Sequence, residues 1–151
     1  MMNWLHKFFS SHSPDPLALK LYPILGFHPE NINFYHQAFC HSSIEAPTYG
    51  DNERLEFLGD SILDSVIAEY LYHQLPRKDE GVLTDIRSKM VNRRTLNKLA
   101  KEFKIDSFIQ TNLGGNVPSS ILGNAFEALI AAIYLDKGAD FCKEFIVKKI
   151  I

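Results

Sequence analysis

Residues Asn52 to Ser61 read "NERLEFLGDS". Four of the ten are charged and three of those are acids, yet the stretch runs straight into "ILDSVIAEYLY", which has the apolar content of a packed helix. Leu55, Leu58, Ile62, Val66, Ala68 and Leu71 recur at helical spacing, and Pro76 stops the pattern. The prediction is a helix from about Glu53 to Leu75 with Asn52 as its N-cap. Glu53, Glu56 and Asp60 lie three and four residues apart and therefore share one helical face. The neighbours of Glu56 at those spacings are Asn52, Glu53, Gly59 and Asp60, and none is basic. Stacked like charges repel, so a positive partner from outside the sequence is expected among them. A hard divalent cation meets that need.

Outward from this helix the chain reads as helices throughout. On the N-terminal side, "SSHSPDP" (Ser10 to Pro16) is a polar, proline-bearing linker, so residues 1–16 are expected to form a flexible segment ahead of one domain, 17–151. "LALKLYPILGF" predicts a short helix broken near Pro23 and Gly26. "NINFYHQAFCHSS" places Ile32, Phe34, Ala38 and Phe39 on a helical stripe. On the C-terminal side a helical region runs from about Val82 to Phe103, with Asn92 as the point where it can break. "QTNLGGNVPSS" is a loop, "ILGNAFEALIAAIYLDKG" an apolar helix with a glycine stop at Gly138, and "ADFCKEFIVKKII" a final amphipathic helix. No segment alternates with period two. The fold class is all-α.

Composition narrows the function. With 151 residues, 46% of them hydrophobic, and a net charge of −2, the chain can bury a core but is no polycation. Any nucleic-acid contact must come from a local patch, and the charge is in fact uneven. Residues 51–80 carry eight acids and three bases, whereas 83–104 carry seven bases and two acids. A basic helix beside an acidic one suits a groove for phosphates, with Arg87 and Lys89 as the candidate phosphate contacts. A solvated face that merely balances charge is the alternative. Cys40 and Cys142 have no ligand or disulfide spacing and read as small buried hydrophobes of a reducing compartment. No apolar run reaches the roughly 18 residues of a membrane span, and "MMNWLHKFF" lacks the features of a secretory signal. A cytoplasmic protein without a small-molecule cofactor is expected. The six histidines are scattered, and no Ser/His/Asp or Cys/His arrangement supplies a protein nucleophile.

A second acidic feature completes the first. Glu127 is the one charged side chain between Gly123 and Leu135, and Asn124 lies three residues before it on the same face. A carboxylate among Phe126, Leu129 and Ile130 is costly without a partner. Pairing the two helices would gather Glu56, Asp60, Asn124 and Glu127 into an oxygen-rich cluster suited to Mg²⁺. Spacing alone leaves open a solvated acidic face and a salt-bridged Glu127.

"NERLEFLGDSIL" resembles the signature motif of the ribonuclease III family at essentially every position. "HQAFCHSS" before it, "LPRKDEGVLTDIRSKMVNRRTLNKLA" after it and "ILGNAFEALIAAIYLDKG" further on resemble the family's flanking and second acidic segments. Roughly residues 20 to 150 are covered in the family's order. The resemblance implies a ribonuclease III-type all-helical endonuclease domain that forms a homodimer. It implies cleavage of double-stranded RNA to 5′-phosphate products in the processing of ribosomal and other structured RNA, with Mg²⁺, or Mn²⁺ in its place. Residue by residue, Glu56, Asp60 and Glu127 match metal-binding acids, Asp60 and Glu127 being catalytic. Glu53 and Glu80 match auxiliary acids, and Phe57 matches an aromatic that packs into the partner subunit. A core phenylalanine is the competing reading of Phe57. Asn124 departs from the pattern, since the family usually has aspartate there, and this puts metal affinity in doubt. A non-cutting RNA-binding or structural dimer of the same fold is therefore the second expectation. The end at "VKKII", inside a helical pattern and without a double-stranded-RNA-binding domain, suggests a catalytic-domain fragment, a compact form resembling mini ribonuclease III being the alternative.

Overall fold

The structure, a computed structural model, describes residues 14–151. Most of the expected flexible segment, residues 1–13, lies outside the described residues. Seven α-helices follow among those described: α1 (Pro16–Leu25), α2 (Ile32–Ala38), α3 (Glu53–Gln74), α4 (Glu80–Met90), α5 (Arg93–Glu102), α6 (Ser119–Lys137) and α7 (Ala139–Lys149). No strand forms among them. The sheet-like pairing is a single bridge between Cys40 and Gln110, which ties the loop after α2 to the loop before α6. The all-α expectation holds.

α6 is the centre of the molecule. From Ile121 to Ile133 almost every residue is buried, as expected of a helix apolar on all sides. α3, α5, α2 and α7 pack around it. Its C-terminal end also organises the start of α2. Asp136 accepts the Tyr35 hydroxyl (2.9 Å) and the backbone N–H groups of Glu30 (3.1 Å) and Asn31 (2.6 Å). Gly138 ends the helix at φ 89°, its N–H donating to the Tyr134 carbonyl. Cys40 and Cys142 are free and buried, and burial pushes the Cys142 thiol up to about 12.

Two sequence expectations are corrected and one is refined. Pro23 does not break α1, because the helix passes through it and stops at Leu25, with Gly26 in the left-handed region (φ 82°). The region from Val82 to Phe103 does break at Asn92, into two helices, the first starting already at Glu80, and Asn92 caps the second by accepting the Thr95 N–H. Asn52 stands at the N-terminus of α3 but makes no side-chain cap. It is buried, and its amide donates to the Ala38 carbonyl, leaving Asp51 to accept the Glu53 N–H. An unpaired carbonyl in the core costs about 1–3 kcal/mol, more than a helix cap typically contributes, so the core contact wins.

The buried stripe of α3 also differs in phase from the predicted one. Leu55, Gly59, Leu63, Ile67 and Leu71 are buried, at strict four-residue spacing, while Leu58, Ile62 and Val66 pack at the margin. The stripe passes through a glycine because α6 comes too close there for any side chain. A Cβ built on Gly59 would fall 1.8 Å from the Glu127 carbonyl oxygen, well inside contact distance. α3 and α6 therefore meet backbone to backbone at this point.

Candidate acidic metal site

The crossing at Gly59 positions the acids. Glu56 is three residues before Gly59 and Asp60 one after it, while Asn124 is three residues before Glu127 on the facing helix. Across the crossing Glu127 senses Glu56 and Asp60, and Glu56 senses Asn124. Burial, and after it the charges of Asp60 and Glu56, raise the Glu127 carboxyl to about 7 against the opposing pull of Arg93. Burial also raises Glu56, while the Asn124 amide beside it and Arg93 favour its ionised form. Glu53 and Asp60 add repulsion to Glu56, which places Glu53 at the edge of the cluster.

Two residues join that the sequence reading did not name. Asp64 adds repulsion to Glu127, and its Oδ1 is buried with no hydrogen-bond partner. It continues the stripe of Glu56 and Asp60 by another four residues, so the signal was present in the spacing. Arg93 comes from α5. Its guanidinium donates to the Ser120 carbonyl (2.6 Å) and, at 3.5 Å, to Asn124 Oδ1. Nothing local announces this contact, because it depends on how α5 docks on α6.

The donor chemistry fits a hard divalent cation. The site offers oxygen ligands, more negative charge than Arg93 can balance, and a carboxylate oxygen left without a partner. Among the described residues no three carboxylates, imidazoles or thiolates converge into a ready cage.

The remaining candidates lie elsewhere. Glu80 is exposed at the start of α4 and accepts the Thr84 hydroxyl. With Arg87 it lines a cavity of about 700 Å³ beside Tyr72 and Leu83, at the C-terminal end of α3. This is the opposite end of that helix from Glu56. Lys89 is exposed and paired with Asp85 at 2.6 Å. Phe57 is not a core residue, being 77% exposed. It borders a cavity of about 660 Å³ shared with Arg54, Leu58 and Leu135.

The fold and site define an all-helical domain whose central helix crossing gathers carboxylates and offers no protein nucleophile. A family model described as Ribonuclease-III-like matches residues 31–151. Ribonuclease 3 of Zunongwangia profunda is 44% identical over 136 residues, which is 87% of this chain and 56% of that protein. Ribonuclease 3 of Bacteroides fragilis is 47% identical over 135 residues, 86% of this chain and 47% of that protein. The chain thus spans about half the length of these curated relatives. Among solved structures, the nuclease domain of ribonuclease III from Campylobacter jejuni superimposes with a TM-score of 0.81 at 35% identity, covering 90% of this chain and 95% of that one. A second structure of that domain, whose description concerns flexibility in a region involved in its dimer formation, gives 0.80 at 36% identity over 87% and 94%. The chain belongs to the ribonuclease III family.

The protonation of Glu127 has a measurable consequence. Its carboxyl titrates near 7 in the fold and near the ordinary 4.5 once unfolded. Between those values the fold holds a proton that the unfolded chain has released, so stability falls as pH rises from about 4.5 to 7. Partial exposure screens the effect to about 1–2 kcal/mol. Thermal melts in EDTA should show a lower Tm at pH 8 than at pH 5.5, and Mg²⁺ should raise Tm more at the higher pH. A Tm that does not respond to Mg²⁺ at pH 8 would remove the metal from this site.

Proposed function

We propose that this chain is a Mg²⁺-dependent endoribonuclease domain, with Mn²⁺ able to substitute, that hydrolyses double-stranded RNA to 5′-phosphate products. The observation that carries this reading is the gathering of Glu56, Asp60, Asn124 and Glu127 at one backbone crossing. A module that only bound RNA would gain nothing from carboxylates that repel phosphates. The names of the relatives support the same class of reaction. Processing of ribosomal and other structured RNA in the cytoplasm is the proposed setting, and no described helix is long and apolar enough to cross a membrane.

In this proposal Glu56, Asp60, Asn124 and Glu127 hold the ion, with Asp60 and Glu127 the catalytic acids. When bound, the ion supplies charge stabilisation at the scissile phosphate and an activated water. Asp64 adds negative charge behind Glu127, and Arg93 fixes the Asn124 carbonyl while keeping the metal-free cluster from flying apart. Glu53 acts at the margin. Arg87 and Lys89 contact RNA backbone beyond the cluster with Glu80 nearby, Lys89 contributing less because Asp85 already holds it. Incubation of the purified protein with a long RNA duplex and Mg²⁺, with EDTA as control, tests the activity. Intact duplex after prolonged incubation with Mg²⁺ would refute it.

Asn124 favours the second reading, a non-cutting duplex binder. Asn124→Asp decides between the two. Restoring a charge at constant shape should lower the Mg²⁺ needed for half-maximal cleavage about 10–100-fold. It should also lower Tm in EDTA by adding repulsion to Glu56 and Glu127. Cleavage that begins only with the aspartate would favour the binding protein.

A homodimer is proposed through Phe57. An exposed phenylalanine bordering its own cavity is a self-complementary arrangement, since a two-fold axis can place each ring in the other copy's cavity. Phe57→Ala should weaken association about 30-fold or more, the effect of losing a central aromatic anchor worth about 2 kcal/mol. Sedimentation of both proteins reads this, and a monomeric unmodified protein at micromolar concentration would dismiss the dimer.

A further inference from the structure

We infer that the cleft between α5 and the start of α6 is a separate binding site for RNA backbone phosphates, built from Arg93, Arg94, Lys98 and Lys101. This rests on the proposed function for the identity of the polyanion. The four cations line one cavity of about 510 Å³, together with Asn97 and Ser119. All four are exposed. Among the described residues, Arg94 and Lys101 have no acidic partner within salt-bridge distance, and Lys98 has only Glu102 at 3.5 Å on the surface. Such an exposed pair contributes little and leaves the lysine available.

The placement of Arg93 and Arg94 works against the helix that carries them. Arg93 and Arg94 occupy the first turn of α5, which holds no acid. Cations at that end face the positive pole of the helix, each at a cost of a few tenths of a kcal/mol. A merely solvated helix would put its bases in the last turn, where of the four only Lys101 lies. The facing element adds to the same sign. α6 begins at Ser119, which lines the same cleft, so the positive end of that helix borders it.

The cleft is rigid and adjoins the acids. The Gly123 N–H donates to Asn97 Oδ1 at 2.9 Å, and Arg93 bonds the Ser120 carbonyl, so α5 is fastened to α6 at two successive levels. Arg93 belongs to both regions, lining the cleft while reaching Asn124. Arg94, Lys98 and Lys101 are four and three residues apart and share one face, about 10 Å long by helical rise. A strand with one phosphate at the acids can therefore lay neighbouring phosphates along α5. Arg87 and Lys89, on α4, are not part of this cleft.

The test is binding of a dye-labelled RNA duplex in EDTA, by fluorescence anisotropy from about 50 to 300 mM KCl. The proteins compared are the unmodified chain, R94Q/K101Q, R94K/K101R and K148Q/K149Q. R94Q/K101Q should bind about tenfold or more weakly at moderate salt. Its plot of log affinity against log salt should be shallower by about 1.4–1.8, the release expected for two phosphate contacts. R94K/K101R should match the unmodified chain, as should K148Q/K149Q, which removes two cations from α7. Unchanged affinity and slope in R94Q/K101Q would overturn the site while leaving the proposed function intact. Equal losses in K148Q/K149Q would overturn it in favour of diffuse attraction. An unmodified chain with no affinity for the duplex would overturn the site and the proposed function together.

Discussion

Glu127→Gln is expected to abolish cleavage while making the metal-free protein more stable at alkaline pH. The two effects have one cause. Glu127 is held in a partly desolvated position against Asp60, Glu56 and Asp64, with Arg93 as its counter-charge, so its carboxyl is raised to about 7. At pH 8 the empty fold must carry that charge against its neighbours, which costs stability. Glutamine keeps the shape and removes the repulsion, so Tm in EDTA should rise at pH 8 and hardly move at pH 5, where Glu127 already holds its proton. In the proposed function the same substitution removes a charge from the residues that hold the ion. Losing several kcal/mol of transition-state stabilisation corresponds to about 10³-fold or more in rate. The response of Tm to Mg²⁺ should shrink in parallel. A residue with a merely structural role would behave oppositely, losing activity only as stability falls. Cleavage at the unmodified rate would take Glu127 out of the reaction.

How the site could be read from sequence follows from the same residues. Glu56, Asp60, Asn124 and Glu127 were legible because helical spacing puts each pair on one face, and a carboxylate in an apolar helix demands an explanation. Asp64 was equally legible at the next four-residue step. Arg93 was not, since its contact with Asn124 exists only once α5 is docked. Periodicity likewise revealed most helices but not the phase of α3. That helix is apolar around much of its circumference outside the acid stripe, so Leu58 and Ile62 compete with Leu63 and Ile67 for the core. Gly59 settles the contest, because only the face through it lets α6 approach closely. Asn52 shows a similar competition, where a residue type suited to capping is drawn into the core by the Ala38 carbonyl. The exposure of Phe57 could not be inferred from one copy's pattern, as a phenylalanine on a helix reads as core until its face is placed.

The role of that glycine leads to the largest expected effect on stability. Gly59→Ala should destabilise the protein by about 3 kcal/mol or more, because the new Cβ would lie 1.8 Å from the Glu127 carbonyl oxygen. The obstruction is backbone, not the end of a flexible side chain, so relief requires the helices themselves to part. Elsewhere in a helix the same change would help, alanine being about 1 kcal/mol the better helix former. Gly81→Ala in α4 supplies that contrast. Its new Cβ would meet only the Asp79 side chain at 3.6 Å, an ordinary contact, and its stability should be unchanged or slightly raised. For a chain of this length the Gly59 loss corresponds to a fall in Tm of about 6–12 °C. Activity should fall further than stability explains, since moving α3 from α6 separates Glu56 and Asp60 from Asn124 and Glu127. If the ion binds as proposed, Mg²⁺ should then recover less Tm in this variant than in the unmodified chain, because the two halves of the proposed site are no longer held together. Melts of both glycine variants, with and without Mg²⁺, measure this. If Gly59→Ala melts like Gly81→Ala, the helices do not touch at Gly59 and the crossing is not what brings the acids together.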